Sequence, residues 1–307
     1  MKDLCFLSAT QIAEGLQSGD IKSAQVLESF SNRIAEFEDT VKAWEHYDKD
    51  FILQKANEAD DYKNIGRPIG PLHGLPIGIK DIFGTNDMPT RCGTNLVGGV
   101  HTKDDASVVS FLRNAGALIM GKTVTTEFAY FDPGKTTNPH DENRTPGGSS
   151  SGSAAAVASF MCPVAIGSQT NGSVIRPASY CGVIGYKPTY GLVSRKSVLK
   201  QSHLLDHVGI FARHIEDIAL IAKEIVRHDV DDRSTVPYSI SNITQICKED
   251  PPFDPRFVFI KTSKWKNLDK ESLKSFETFI KKYSAYIEVL DTPSYFDDIF
   301  KYHQIIH

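Results

Sequence analysis

An α/β fold is predicted by three features of the sequence. From Gly66 onward, short apolar runs punctuated by Gly and Pro alternate with segments of helical periodicity, the pattern of strands joined by helices. The first 65 residues carry helical periodicity alone. Hydrophobic residues make up 40% and charged residues 23% of the chain, a balance that excludes disorder and collagen-like repeats. A chain of 307 residues is long enough to bury a sizeable core without disulfide or metal staples.

Taken in order, residues 1–65 are expected to form a helical layer. Ser8 or Thr10 is its candidate N-cap ahead of Ile12 and Leu16, and a second amphipathic run follows through Val26, Leu27, Phe30, Ile34 and Phe37. Residues 66–230 are expected to form the core, with strands at 75–79, 117–120, 164–166 and 183–186 and helices at 107–114, 153–160 and 212–227. In residues 231–307 a polar, Pro-bearing loop (231–255) precedes a strand at 256–261, a helix at 270–285 and a helical run still in progress at His307. No internal repeat interrupts this order, so the expectation is a single domain over 1–307.

The 34 basic and 38 acidic residues leave a net charge of −4, too small a bias to draw the chain to nucleic acid or an anionic membrane. Met1 to Cys5 lacks the basic and apolar regions of a signal peptide, and no stretch reaches the roughly 18 apolar residues of a membrane span. A cytoplasmic protein without membrane contact is expected. Cys5, Cys92, Cys162, Cys181 and Cys247 are odd in number and widely spaced, which fits reduced, buried thiols rather than a disulfide framework or a Cys-rich metal site. No metal or cofactor is expected.

The unusual segment is Pro146-Gly147-Gly148-Ser149-Ser150-Ser151-Gly152-Ser153, which runs straight into an Ala-rich apolar stretch. A flexible linker rarely does so, and a phosphate-binding loop requires a Lys after the last Gly. Gly148-Ser149-Ser150-Ser151-Gly152 matches the G-x-S-x-G nucleophile elbow, with Ser150 as nucleophile, yet the preceding residues are polar where the elbow needs a strand. The remaining reading is a rigid turn that holds hydroxyls at the start of a helix. A second such site, Gln169-Thr170-Asn171-Gly172-Ser173, follows, with Ser173 24 residues after Ser149, and its successive backbone N–H groups suit an oxyanion hole. Lys80, at the end of an apolar strand-like run, is the candidate base, because burial there would hold it partly neutral.

These residues together resemble the amidase signature family. Gly78-Ile79-Lys80-Asp81, the Gly-Ser run and Gln169-Thr170-Asn171-Gly172-Ser173 occur in the family's order, separated by 69 residues (80 to 149) and 24 residues (149 to 173). The likeness extends through Leu72 to Pro76, Thr126 to Ala129, Arg176 to Ala178 and Cys181 to Thr189, covering roughly residues 8–230. It implies a mixed β-sheet sandwiched between helical layers, and amide hydrolysis through a Ser-Ser-Lys triad and an acyl-enzyme. Ser173 would be the nucleophile, Ser149 the bridging serine on a cis peptide bond, Lys80 the base, and the backbone N–H groups of Thr170, Asn171, Gly172 and Ser173 the oxyanion hole.

The sequence departs from the family in two respects. Many members carry Asp-Thr-Gly-Gly-Ser or Gln-Thr-Ala-Gly-Ser before the nucleophile, whereas this chain has Asn171; chemistry should survive, since an Asn still offers its backbone N–H. Members usually continue well beyond the point matching His307, so a chain shortened at its C-terminus is expected. Gln169 and Asn171 tilt the reading toward a stand-alone amidase with a small-molecule amide substrate, for which a homodimer is the assembly considered. The rivals are an amidotransferase A subunit working with partner subunits and a catalytically silent scaffold. Arg176 is expected to meet a carboxylate, Glu127 or a substrate acid, or else to brace the Gly-Ser loop. Tyr130 and Phe131 either line the acyl pocket or belong to the core. His203 and His207 have the i, i+4 spacing of metal ligands, but Leu204 stands where a zinc-protease motif has Glu and no third ligand suggests itself.

Overall fold

The N-terminal layer begins as its capping chemistry dictates. In a computed structural model that describes residues 3–96, 98–238, 240 and 242–306, α1 (Ala9–Ser18) opens with a capping box. The Ser8 hydroxyl accepts from Gln11 N while the Gln11 side chain accepts from Ser8 N. Thr10, the other candidate cap, instead makes a long-range tie, its backbone N and Oγ1 both donating to Asp217 Oδ1. α2 (Ser23–Val41) buries Val26, Leu27, Phe30 and Ile34 along one stripe. Contrary to the expectation of an all-helical layer, the strand β1 (Trp44–His46) comes before α3 (Lys49–Asn64).

The core then alternates as the sequence predicts: β2 (Pro76–Lys80), α4 (Ser107–Asn114), β3 (Leu118–Thr123), α5 (Ser151–Ala158), β4 (Val164–Gln169), α6 (Ile175–Cys181) and β5 (Ile184–Tyr186). It closes with β6 (His207–Ala212) and α7 (Ile215–Ile225). The helix expected from residue 212 starts three residues later because Ala212 still pairs in β6, with both Val164 and Ile184. Six strands form one mixed sheet in the order β1-β3-β2-β4-β6-β5. β2 runs parallel to β3 and β4, while β1, β6 and β5 attach antiparallel. All five residues of β2 are buried, as befits a central parallel strand covered on both faces. The strand therefore delivers Lys80 into the protein interior.

Contacts divide the chain into two compact units, one ending at Lys248 and the other beginning at Glu249. Residues 229–236 stay with the first unit through buried polar ties. Ser194 Oγ donates to Asp229 at 2.5 Å, Arg195 N to Asp232 at 2.6 Å, and Val236 N to Gly191 O at 3.0 Å. Among the described residues, the stretch expected as a loop also contains a short helix, α8 (Ile243–Ile246). The second unit is a β-α-β element: β7 (Phe257–Lys261) and β8 (Ile287–Asp291) pair in parallel around α9 (Lys270–Lys282), and α10 (Asp298–Ile306) follows. His307 lies outside the described residues. No helix among those described is long and apolar enough to cross a membrane.

Candidate active site

The serine run separates into structural and available hydroxyls once its neighbours are placed. Ser150 Oγ accepts from Ser168 N at 3.2 Å and donates to Ser168 O at 3.1 Å. Ser151 Oγ reaches Val124 O at 3.4 Å, and Ser153 Oγ binds Ile166 O at 3.0 Å and lies 2.6 Å from Thr123 Oγ1. These three hydroxyls fasten α5 to the sheet and its flanking loop. Gly152 enforces the approach, since a Cβ there would stand 2.3 Å from both Ala43 O and Val124 N. The elbow reading of Ser150 gives way to a structural role on this geometry. Ser149 differs: its hydroxyl accepts from Lys80 Nζ at 2.8 Å, and the Gly148–Ser149 peptide bond is cis.

Lys80 is fully buried. Its Nζ also donates to Ser168 Oγ at 2.9 Å, and no carboxylate pairs with it among the described residues. Burial disfavours its charged form and lowers its pKa from 10.5 to about 7, against the opposing pull of the negative charge on Asp206. A second fully buried lysine provides a contrast. Lys122 on β3 lies 3.6 Å from Asp81 and donates to Phe83 O and Thr90 Oγ1. It is paired with a buried carboxylate, whereas Lys80 faces only hydroxyls.

The segment 169–173 leaves β4 as a tight turn. Gln169 Oε1 accepts from Val174 N at 2.9 Å and Ile175 N at 3.0 Å, so this side chain holds the turn closed behind Ser173. Thr170 Oγ1 lies 2.6 Å from Asp206 Oδ1 and 2.9 Å from Gln201 Oε1. The other Asp206 oxygen accepts from the backbone N of Gln201 and Ser202 at 2.8 and 3.0 Å. Gly172 has φ +141°, a conformation that suits only glycine. Asn171, Gly172 and Ser173 donate no backbone hydrogen bond to protein among the described residues, which leaves these N–H groups available to an oxyanion. Ser173 is buried, its carbonyl accepts from Ser150 N at 3.4 Å, and its hydroxyl has no hydrogen-bond partner among the described residues.

Arg176 meets neither Glu127 nor any other carboxylate among the described residues. Its Nε and Nη2 both donate to Gly148 O, at 3.1 and 2.9 Å, so it braces the loop just before Ser149. Tyr130 and Phe131 are exposed rather than core, and with Arg176 and Gly148 they line a cavity of about 490 Å³. The His203/His207 pair shares no helix face: His207 opens β6, with Nδ1 2.6 Å from Leu205 O, while His203 lies in a turn whose carbonyl accepts from Tyr190 and Arg195. Asp206, Gln201 and Ser168 are site residues that sequence reasoning missed. Ser168 left a faint signal as a polar residue on an otherwise apolar strand, and the other two left none.

Comparisons with known proteins assign the chain that carries this arrangement to a family. Residues 25–286 match the family model described as Amidase. The chain belongs to the amidase family. It is similar to the A subunit of glutamyl-tRNA(Gln) amidotransferase from Natranaerobius thermophilus, 40% identical over 250 residues that cover 80% of this chain and 51% of that protein. Among solved structures it resembles the corresponding subunit from Thermotoga maritima (TM-score 0.81, 29% identity, 100% of this chain and 66% of that one). It also resembles the peptide amidase of Stenotrophomonas maltophilia (TM-score 0.77, 28% identity, 94% of this chain and 62% of that one). The chain thus spans about half the length of the curated relatives it matches.

Proposed function

We propose that the protein hydrolyses carboxylic amides through Lys80, Ser149 and Ser173. The observation that carries this reading is Lys80: a fully buried amine, 2.8 Å from a serine hydroxyl, held near neutrality with no paired carboxylate. Neutral Lys80 accepts the proton of Ser149, and Ser149, once rotation of the Ser173 side chain brings the two hydroxyls into contact, takes the proton of Ser173 as its oxygen attacks the amide carbon. A hydroxyl both donates and accepts, which suits Ser149 to the relay. Negative charge developing on the carbonyl oxygen is met by the N–H groups of Thr170, Asn171, Gly172 and Ser173. The proton then returns through Ser149 to the departing amine, leaving an acyl-enzyme on Ser173. Water enters by the same relay and releases the acid. No step calls for a metal or cofactor, and we place the reaction in the cytoplasm.

The curated relatives favour a second reading, in which the chain provides the glutaminase part of a multi-subunit amidotransferase. One experiment addresses both. Ammonia release is measured from aliphatic and aromatic amides and from glutamine, with the wild type and with Ser173→Ala. Turnover of simple amides that is lost in Ser173→Ala supports a stand-alone hydrolase. Glutamine turnover that appears only on adding amidotransferase partner subunits supports the alternative. Turnover that persists in Ser173→Ala rejects the proposed chemistry.

A further inference from the structure

Residues 126–132 form a turn that is tied to both serine loops. Thr126 N donates to Ser149 O at 3.1 Å, and Thr126 Oγ1 donates to Tyr130 O at 2.8 Å. On the other side, Gln201 Nε2 donates to Phe128 O at 3.2 Å, and Gln201 Oε1 lies 2.9 Å from the Thr170 hydroxyl. Glu127 N closes the turn on Asp132 O at 3.1 Å. Within it Phe128 and Ala129 have φ of +47° and +59°, a left-handed backbone that residues other than glycine adopt at a cost and that concentrates at functional sites.

This turn carries two aromatic side chains outward. Tyr130 is 51% and Phe131 65% exposed, their ring centroids 4.3 Å apart. Both line a cavity whose wall also includes Gly148, the residue before Ser149, and Pro133, Pro146 and Tyr180 extend its apolar surface. Its volume of about 490 Å³ falls in the range of sites that enclose a drug-sized ligand. The charged residues of the lining are Arg176, which is held on Gly148 O, Arg144, which lies 3.5 Å from Asp141, and Glu142. A pair of exposed rings on the turn that is hydrogen-bonded to Ser149 O offers stacking surface, and aromatic side chains have few rotatable bonds to immobilise.

We propose that the Tyr130–Phe131 turn is an aromatic recognition wall and that the substrates of this site are carboxamides bearing an aromatic ring. This specificity rests on the amide-hydrolase reading, and the two can fail separately. The test compares 3-phenylpropionamide, 3-cyclohexylpropionamide and propionamide. Hydrolysis is followed with the wild type and with Tyr130→Leu/Phe131→Leu, and calorimetric binding with Ser173→Ala. The expected result is a preference in kcat/KM of at least tenfold for the phenyl compound over both others, reduced to threefold or less in the double variant through a raised KM. Equal turnover of all three amides overturns the aromatic wall and leaves the hydrolase standing. No turnover, with tenfold tighter binding of the phenyl compound to Ser173→Ala, keeps the wall and rejects the hydrolase. Neither turnover nor selective binding rejects both, and the calorimetric arm decides the matter even if the double variant fails to fold.

Discussion

In the proposed mechanism the titration of Lys80 sets the pH dependence of the rate. Burial lowers its pKa from 10.5 to about 7, and a base acts only in its neutral form. Below pH 7 the amine is charged and kcat/KM should fall tenfold per pH unit; above it the rate should level. Between pH 6 and 8 the neutral fraction rises about tenfold, whereas a lysine at 10.5 would give about a hundredfold rise and still be climbing. The perturbation is Lys80→Met, which keeps an apolar stem of similar length and removes the amine. Losing the proton acceptor should cost about 10²–10⁴-fold in rate and abolish this pH limb in the residual activity. The same shift makes a stability claim. Between pH 7 and 10.5 the unfolded chain holds a proton that the folded chain lacks, so Lys80's charging penalty is fully present below pH 7 and is relieved as pH rises. Lys80→Met should therefore gain stability relative to wild type at neutral pH and lose that advantage by pH 10. The assay pairs kcat/KM profiles from pH 5.5 to 10 with thermal melts at pH 7 and 10. A wild-type rate still rising tenfold per unit above pH 8, or a limb that survives in Lys80→Met, would rule out Lys80 as the titrating base.

Two structural residues yield further predictions. Ser150→Ala removes both contacts to the Ser168 backbone and should destabilise by about 1–3 kcal/mol, read as a lower Tm, while turnover persists; loss of turnover in a folded variant would revive the elbow reading. Gly152→Ala places a Cβ 2.3 Å from Ala43 O and Val124 N, backbone atoms that cannot yield cheaply. It should destabilise by about 1–3 kcal/mol or more, and an unchanged Tm would contradict the packing of α5 described above.

What the sequence disclosed followed from local pattern, and what it hid depended on distant partners. β2, β3 and β4 announce themselves as apolar runs between turn residues, and the Ser8 capping box is complete within four residues. β1 could not be read this way: three residues carry no period, and Trp44 to His46 become a strand only through pairing with Lys122 and Thr123 on β3. β6 was obscured for a similar reason, since His207 to Ala212 follows a polar turn and runs on toward an amphipathic helix. Lys80, Ser149 and Ser173 were legible as motifs, but the division of labour among Ser149, Ser150, Ser151 and Ser153 was not. It depends on which hydroxyl meets Ser168, Val124, Ile166 or Lys80, residues 13 to 69 positions away. Asp206 left no trace because its importance lies in a charge felt at Lys80 and a bond to Thr170, 36 residues earlier. Of the two roles expected for Arg176, bracing the Gly-Ser loop is the one the structure gives, and its partner there is the Gly148 carbonyl rather than a carboxylate.

Covalent trapping identifies the nucleophile outright. The wild-type protein is treated with a fluorophosphonate and digested, and the modified residue is located by mass spectrometry. One adduct is expected, on Ser173, absent in Ser173→Ala and formed far more slowly in Lys80→Met. An adduct on Ser150, or amide turnover with no adduct on Ser173, would contradict the Lys80–Ser149–Ser173 mechanism.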